Sequence, residues 1–175
     1  MLDKIKKIKI VCFDCDGVLT DGKITYIQGA DNQILEQKNF SARDGMGLMF
    51  LNYAGLIPAV ITGRTSAVLA RRCKDLKIEH FYQKIENKAK QMEVILQELN
   101  LEWENVAYMG DDWNDYPLFK RVGFSASPND GEEEIKQYVD FVSTKNGGAG
   151  AVREFIDLIL RGKGLYEKAT SKFHI

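Results

Sequence analysis

Short apolar runs alternate with segments of helical periodicity along almost the whole chain, and this alternation constrains the fold more than any other feature. Three runs are typical of buried strands, namely 8–13, 57–62 and 105–109. Between the last two lies a stripe with helical spacing, formed by Ala89, Met92, Ile95, Leu96 and Leu99. Strands that alternate with helices build parallel sheets covered by helices. We therefore predict an α/β fold with a doubly wound parallel sheet.

Local signals place several other elements. Two alternating runs near 23–27 and 33–38 flank a turn-forming segment, which predicts a β-hairpin over about 23–38, directly after the first strand. Asp44 and Asn87 are suited to cap helices. A further helix is expected over about 115–122. The tail of about 163–175 shows little apolar periodicity, so we expect it to be loosely held.

Composition excludes several classes of protein. The chain has 175 residues, which suits one domain over 1–175, and a formal net charge of -1, which gives no basic field for nucleic acid or anionic membranes. No apolar run is long enough to span a bilayer, and no signal-peptide core follows the first residues, so a cytoplasmic location is expected. The three cysteines are too few for a disulfide framework. Cys12 and Cys15 are interpreted as small buried apolar residues rather than as a zinc or redox site.

Two pairs of carboxylates follow predicted strands. Asp14 and Asp16 are two residues apart, so their side chains share a face in an extended segment. Asp111 and Asp112 follow a later strand, and Asp115 would either brace that loop or start the next helix. Clustered carboxylates repel one another unless a cation intervenes, and oxygen ligands suit Mg²⁺. Each pair alone is also explained by a turn or a helix cap, whereas two pairs at one sheet edge favour a metal site.

Lys88 is predicted to lie in the first turn of its helix, where the macrodipole disfavours a cation by about 0.3–1 kcal/mol. A lysine at that position suggests a nearby anion, either a phosphate, the acidic cluster or both, although a solvated surface lysine would also fit. Thr62, at the end of the second strand, could donate its hydroxyl to a phosphate oxygen or simply form a turn.

In this order the clusters resemble the four motifs of the haloacid dehalogenase-type phosphatases. Those motifs are matched by D-x-D-G-V at 14–18, by Thr62-Gly63-Arg64, by Lys88 and by Gly110-Asp111-Asp112. Within that family, the segments 16–22, 43–45, 61–64, 106–112 and 147–154 are similar to the 3-deoxy-D-manno-octulosonate 8-phosphate (KDO 8-phosphate) phosphatases. The resemblance runs over about 8–160. It implies a Rossmann-like fold with no inserted cap domain.

The resemblance implies a role for each matching position. Asp14 would form an aspartyl-phosphate, and Asp16 would protonate the leaving sugar oxygen and then activate water. Asp14, Asp111 and the main-chain carbonyl of Asp16 would bind Mg²⁺, and Thr62 and Lys88 would steady the phosphoryl group. The positions that match substrate contacts are Asp16, Ser41, Ala42, Arg43, Asp44, Gly45, Arg64, Arg72 and Lys88. Asp112 and Asp115 are expected to support the site.

The resemblance also implies a substrate and an assembly. The substrate would be a small sugar acid phosphate, first of all KDO 8-phosphate, hydrolysed in lipopolysaccharide biosynthesis, with sialic acid 9-phosphate or deaminoneuraminate 9-phosphate as alternatives. Arginines such as Arg64 and Arg72 suit an acidic sugar, and the lesser alternative for Arg72 is a solvated helix arginine. A homotetramer built on the hairpin is implied, in which a neighbouring subunit and the tail close the site. The glycine-rich segment 147–150 is then expected to be a flexible loop near the site.

Two functions of other classes could also use these residues, namely a receiver-type signalling domain and a non-catalytic oligomerisation module. A receiver-type signalling domain also places acidic residues, a hydroxyl and a lysine around Mg²⁺, but its phosphorylated aspartate ends a middle strand, whereas Asp14 follows the first. A non-catalytic oligomerisation module with the same fold would be expected to have lost members of the set, and Asp14, Asp16, Thr62, Lys88 and Asp111 are all present.

Overall fold

A computed structural model of the chain describes residues 1–173. The strands are β1 (Ile10–Phe13), β2 (Thr25–Gln28), β3 (Ile34–Gln37), β4 (Ile57–Ile61), β5 (His80–Tyr82), β6 (Val106–Met109), β7 (Phe124–Ser127) and β8 (Phe141–Val142). The α-helices are α1 (Leu2–Lys7), α2 (Ala42–Ala54), α3 (Ala67–Asp75), α4 (Lys88–Leu99), α5 (Tyr116–Phe119), α6 (Glu133–Lys136), α7 (Ala151–Gly162) and α8 (Tyr166–Thr170). Short 3₁₀ turns lie at Trp103–Asn105, Trp113–Asp115 and Ser171–Phe173.

Six strands form one parallel sheet in the order β5-β4-β1-β6-β7-β8. β1 lies between β4 and β6, so the ends of these three strands are neighbours. β2 and β3 pair antiparallel in a separate two-stranded sheet. The predicted α/β fold with a parallel sheet, and the hairpin after its first strand, are confirmed.

Two apolar clusters cover the two faces of the sheet. Alternate residues of β1 point to opposite faces, so Val11 and Phe13 belong to the cluster under α2 and α7, while Ile10 and Cys12 belong to the cluster under α4. Helices on both faces are what makes the sheet doubly wound. Cys12 and Cys15 are both buried free thiols in these clusters, as expected of small apolar residues.

Three local predictions are corrected by the structure. The first strand begins at Ile10 rather than at residue 8, because the preceding residues form α1 and turn at Ile8. The cap of α2 is Ser41, whose Oγ accepts a hydrogen bond from the Asp44 amide at 3.2 Å, so Asp44 is not the cap. The helix expected over 115–122 is only α5, preceded by a 3₁₀ turn, because the Asp115 side chain bonds back to the loop before it.

The tail is also better held than its sequence suggested. Residues Tyr166–Thr170 form α8, which packs against α2, and Ala169 is fully buried there. The ring of Phe173 lies 6.0 Å from that of Phe50. The apolar residues of this segment span little more than one helical turn, which is too short for a periodic pattern to be read. No helix among residues 1–173 has the length and apolar character needed to cross a bilayer.

Candidate active site

The ends of three neighbouring strands meet at one edge of the sheet, where parallel α/β proteins bind their ligands. Asp14 follows β1, Thr62 follows β4 and Asp111 comes shortly after β6. They line an open cleft of about 250 Å³. The full lining is Asp14, Asp16, Gly22, Thr62, Gly63, Arg64, Asp111, Asp112 and Asn114. Four clusters predicted from separate parts of the sequence therefore converge here, the fourth through Lys88.

Lys88 lies at the start of α4, directly after the Asn87 cap, and its side chain is only 2% exposed. Its ammonium is 2.9 Å from Asp14 Oδ1 and 2.6 Å from Asp115 Oδ1. The anion that the macrodipole argument required is thus a pair of buried carboxylates, and the alternative of a solvated surface lysine is wrong. Burial alone would lower the pKa of Lys88, but Asp115 and Asp14 outweigh it and raise that pKa.

Asp115 is the brace of the second acidic loop. It is fully buried, and it accepts hydrogen bonds from the Tyr108 hydroxyl at 2.6 Å and from the Asp111 amide at 2.9 Å. The Asp112 amide approaches the same carboxylate at 3.4 Å, and the Asp112 side chain accepts from the Trp113 amide at 2.6 Å. Of the two readings of Asp115, the structure supports the one in which its side chain holds the loop.

The charges of this cluster are not balanced. Asp14, Asp111 and Asp115 each place an oxygen within 4.8 Å of the others, and Lys88 is the ammonium that contacts two of them. Burial and the neighbouring Asp115 carboxylate raise the pKa of Asp14 to about 7, although Lys88 opposes the shift. Burial, followed by Asp14 and Asp115, raises the pKa of Asp111 to about 8. A cation between Asp14 and Asp111 would relieve this repulsion.

The residues present fit a magnesium ion. Carboxylate oxygens are its preferred protein ligands. The Asp115 oxygens already accept hydrogen bonds, so Asp14 and Asp111 are the carboxylates with ligand capacity to spare. The backbone is shaped for this approach at Gly17, where φ is +84° and a Cβ atom would lie 2.0 Å from Asp111 Oδ2. Any residue other than glycine would push Asp111 out of the cluster.

The Asp16 side chain turns away from this cluster towards two cations. Its Oδ1 accepts a hydrogen bond from Lys38, and its Oδ2 lies 3.5 Å from Arg64 Nε. Lys38 follows β3, so the hairpin contributes a side chain to the catalytic edge. Sequence reasoning missed both Lys38 and Tyr108. A tyrosine inside a buried strand does need a hydrogen-bond partner for its hydroxyl, and that signal was available for Tyr108.

The other positions predicted to contact substrate, 41–45 and Arg72, lie outside the cleft. Ser41, Asp44, Gly45 and Arg72 line a small, mainly apolar cavity between α2 and α3. One guanidinium nitrogen of Arg72 donates to the Ser41 carbonyl at 3.4 Å. A Cβ at Gly45 would lie 2.1 Å from that group, so the glycine permits this arginine position.

Residues of the segment 41–45 differ in exposure. Arg43, like Ala42, is exposed on the surface of α2. Asp44 is buried, and its carboxylate accepts from the amides of Gly150 at 3.1 Å and Arg153 at 2.8 Å. Asp44 therefore anchors the start of α7.

The glycine-rich loop 147–150, expected to be a flexible segment, packs tightly on the catalytic loop. The Gly148 amide donates to the Val18 carbonyl at 3.0 Å, and the Gly147 amide donates to Asp130 at 2.8 Å. A Cβ at Gly147 would lie 1.8 Å from the Gly17 carbonyl oxygen. The loop therefore supports the turn that follows Asp14 by packing against its backbone.

Comparison with known families and proteins gives a consistent set of relatives. The family described as haloacid dehalogenase-like hydrolase matches residues 72–156. The 3-deoxy-D-manno-octulosonate 8-phosphate phosphatase KdsC of Escherichia coli (strain K12) is 37% identical over 169 residues, which cover 97% of this chain and 88% of that protein.

Solved structures agree with this result. A KDO 8-phosphate phosphatase from Moraxella catarrhalis, in complex with magnesium, phosphate and KDO, superposes with a TM-score of 0.91 at 37% identity, covering 98% of this chain and 97% of that chain. The cobalt-bound enzyme from Haemophilus influenzae superposes with a TM-score of 0.86 at 37% identity, covering 94% of both chains.

Proposed function

The chain belongs to the haloacid dehalogenase-like hydrolases, among the KDO 8-phosphate phosphatases, and from that premise we propose that it hydrolyses KDO 8-phosphate to KDO and phosphate with Asp14 as nucleophile. The observation that carries this proposal is the position of Asp14. Its carboxylate lies at the end of the central strand, is held by Lys88 at 2.9 Å, and lines an open cleft opposite Asp111. A nucleophile needs such fixed orientation and access to its substrate.

In the first step Asp14 attacks the phosphorus atom, an aspartyl-phosphate forms, and the bond to the sugar oxygen breaks. Asp16 gives its proton to that leaving oxygen. Thr62 and Lys88 donate to the phosphoryl oxygens, whose charge must be stabilised as the group transfers. Mg²⁺, held by Asp14, Asp111 and the main-chain carbonyl of Asp16, would supply further positive charge at the phosphoryl group.

In the second step Asp16, now a carboxylate, takes a proton from a water molecule that attacks the aspartyl-phosphate. Phosphate leaves and Asp14 is regenerated. Asp112 and Asp115 act through the loop that carries Asp111, since Asp115 binds its amides.

The choice of sugar acid rests on the cations near the cleft. Arg64 lines it and presents a guanidinium suited to the carboxylate of a sugar acid. None of the positions Ser41, Ala42, Arg43, Asp44, Gly45 and Arg72 lines the cleft of its own subunit. We further propose that this segment takes part in binding the substrate of a neighbouring subunit through its exposed residues Ala42 and Arg43, with the buried Asp44 and Gly45 holding it in place.

The test is phosphate release in the presence of Mg²⁺ over KDO 8-phosphate, sialic acid 9-phosphate, deaminoneuraminate 9-phosphate and a neutral sugar phosphate. The highest kcat/KM is expected for KDO 8-phosphate. A higher kcat/KM for one of the nine-carbon acids would replace KDO 8-phosphate as the proposed substrate. If the folded protein turns over none of these compounds, the chain is a non-catalytic module.

Asp14→Asn should abolish turnover, because an amide is neither a nucleophile nor an anionic metal ligand. Asp75→Asn is the matched control, since Asp75 is exposed on the surface of α3 and, among residues 1–173, pairs only with Arg71. Turnover of the Asp14→Asn variant at the wild-type rate would remove Asp14 from the nucleophile role.

We propose that residues 1–175 act as one domain and assemble as a homotetramer through the hairpin, in the cytoplasm and within lipopolysaccharide biosynthesis. The hairpin supports the assembly because it exposes apolar side chains on both of its strands and directly before the first of them. These are Ile24, Tyr26, Ile27, Ile34 and Leu35. Analytical ultracentrifugation should give a tetramer for the wild type and smaller species for Ile34→Asp, and a monomeric wild type would contradict the proposal.

A further inference from the structure

The charged side chains between the hairpin and the catalytic edge form a ring of alternating sign. Lys38 contacts Asp16 and lies 3.5 Å from Glu36. Glu36 in turn is 3.3 Å from Arg64, whose Nε is 3.5 Å from Asp16. The ring thus joins the catalytic loop, the hairpin and the loop after β4.

Lys38 is the unusual member of this ring. It sits on an otherwise exposed hairpin, yet its side chain is only 2% exposed. Burying an ammonium is expensive unless it is paired with an anion. The base of the hairpin is held next to the catalytic loop by the bridge between Thr20 and Phe40, which keeps the main chain near Lys38 close to that loop.

Arg64 lies within ion-pair distance of Asp16 but makes no hydrogen bond to it. Its Nε is buried and has no hydrogen-bond partner among the described residues, and its Nη2 donates to Tyr26 and to Glu36 instead. Lys38 is therefore the cation that hydrogen-bonds the Asp16 carboxylate directly.

We propose that Lys38 is a positioning residue of the reaction, which holds the Asp16 carboxyl group where it can exchange a proton with the leaving oxygen and then with water. This inference rests on the proposed function and assigns to the hairpin a part in the chemistry of its own subunit. A displaced general acid-base slows the steps that need proton transfer and leaves substrate binding largely intact.

The test uses Lys38→Met, which keeps the length and apolar stem of the side chain and removes its charge. With KDO 8-phosphate, kcat is expected to fall roughly tenfold or more while KM changes by less than about twofold. With p-nitrophenyl phosphate, whose leaving group needs little protonation, a burst of about one p-nitrophenol per site should precede slow turnover, because only the attack of water on the aspartyl-phosphate is impaired.

Three further variants sharpen the test. Lys38→Arg should recover part of kcat, since it keeps a cation beside Asp16. Lys38→Gln should lose kcat as Lys38→Met does, and it serves in its place if the methionine variant does not fold. Lys23→Met, at a hairpin-side lysine whose side chain is 80% exposed, should match the wild type.

The outcomes separate this inference from the proposed function. Folded Lys38→Met or Lys38→Gln with wild-type kcat, or with a loss confined to KM, would overturn the positioning role while the phosphatase stands. A wild type that turns over none of the substrates would remove both.

Discussion

At the residue scale, the candidate active site is organised by carboxylates that the fold holds close enough to repel one another. Asp14 and Asp111 have raised pKa values, about 7 and about 8, because they are buried near each other and near Asp115. Lys88 balances part of this charge. The excess of negative charge in a cleft open to solvent is what a divalent cation would neutralise, and the bound cation would then attract a phosphate group.

Mg²⁺ binding should depend steeply on pH. In the metal-free protein the folded state binds protons at Asp14 and Asp111 more tightly than the unfolded state, so their contribution to stability is present at low pH and is lost as pH rises towards 8. Mg²⁺ requires the deprotonated carboxylates, and its apparent affinity should be at least roughly tenfold weaker at pH 6 than at pH 8.

Thermal unfolding with and without Mg²⁺ measures this dependence. The rise in Tm caused by Mg²⁺ should be larger at pH 8 than at pH 6, and Asp111→Asn should remove most of it. An equal rise at both pH values would contradict the pKa values assigned to the pair.

Tyr108→Phe tests the brace beneath the site. The hydroxyl donates to the buried Asp115 carboxylate at 2.6 Å, and a hydrogen bond to a charged group contributes about 1.5–3 kcal/mol. Urea unfolding should show a loss of stability of about that size. Tyr138→Phe, at an exposed tyrosine, is the control and should unfold like the wild type.

At the element scale, the catalytic turn is positioned by loops rather than by its own strand. Gly17 and Val18 lie against the loop 147–150, and Asp44 ties the start of α7 to α2. Gly147 and Gly148 of that loop are consequently required for close approach of backbone to backbone.

Gly147→Ala should displace the catalytic turn, because its Cβ would lie 1.8 Å from the Gly17 carbonyl oxygen. We expect kcat to fall by at least about tenfold, since small misplacements of reacting groups slow catalysis strongly. Gly29→Ala is the matched control, because the nearest atoms to its Cβ are at 3.5 Å, an ordinary contact. A Gly147→Ala enzyme with wild-type kcat would show that the loop does not hold the turn.

At the scale of the whole molecule, the carboxyl-terminal segment closes the face of α2. Ala169 is fully buried and Lys172 lies 3.9 Å over the Tyr53 ring. Deletion of 165–175 should lower the free energy of unfolding by on the order of 2–4 kcal/mol, through exposure of the apolar surface of α2. Urea unfolding of the truncated and full-length proteins measures this loss of stability. Loss of activity at unchanged stability would instead indicate that the tail serves mainly to close a neighbouring site.

The sequence by itself determined the order of strands and helices and the chemistry at the strand ends. Both depend on local properties, namely apolar periodicity, capping and the residue types that end each strand. Asp14, Thr62, Lys88 and Asp111 could therefore be predicted as one site before any contact between them was known.

Only the tertiary structure decided which charges meet. That Lys38 faces Asp16, that Asp115 lies under both Lys88 and Tyr108, and that Asp44 anchors α7 all depend on contacts between residues far apart in the chain. A lone lysine on an exposed hairpin carries no local signal of such a partner. The physical reason is that burial and charge pairing are properties of the packed fold, and local periodicity does not specify them.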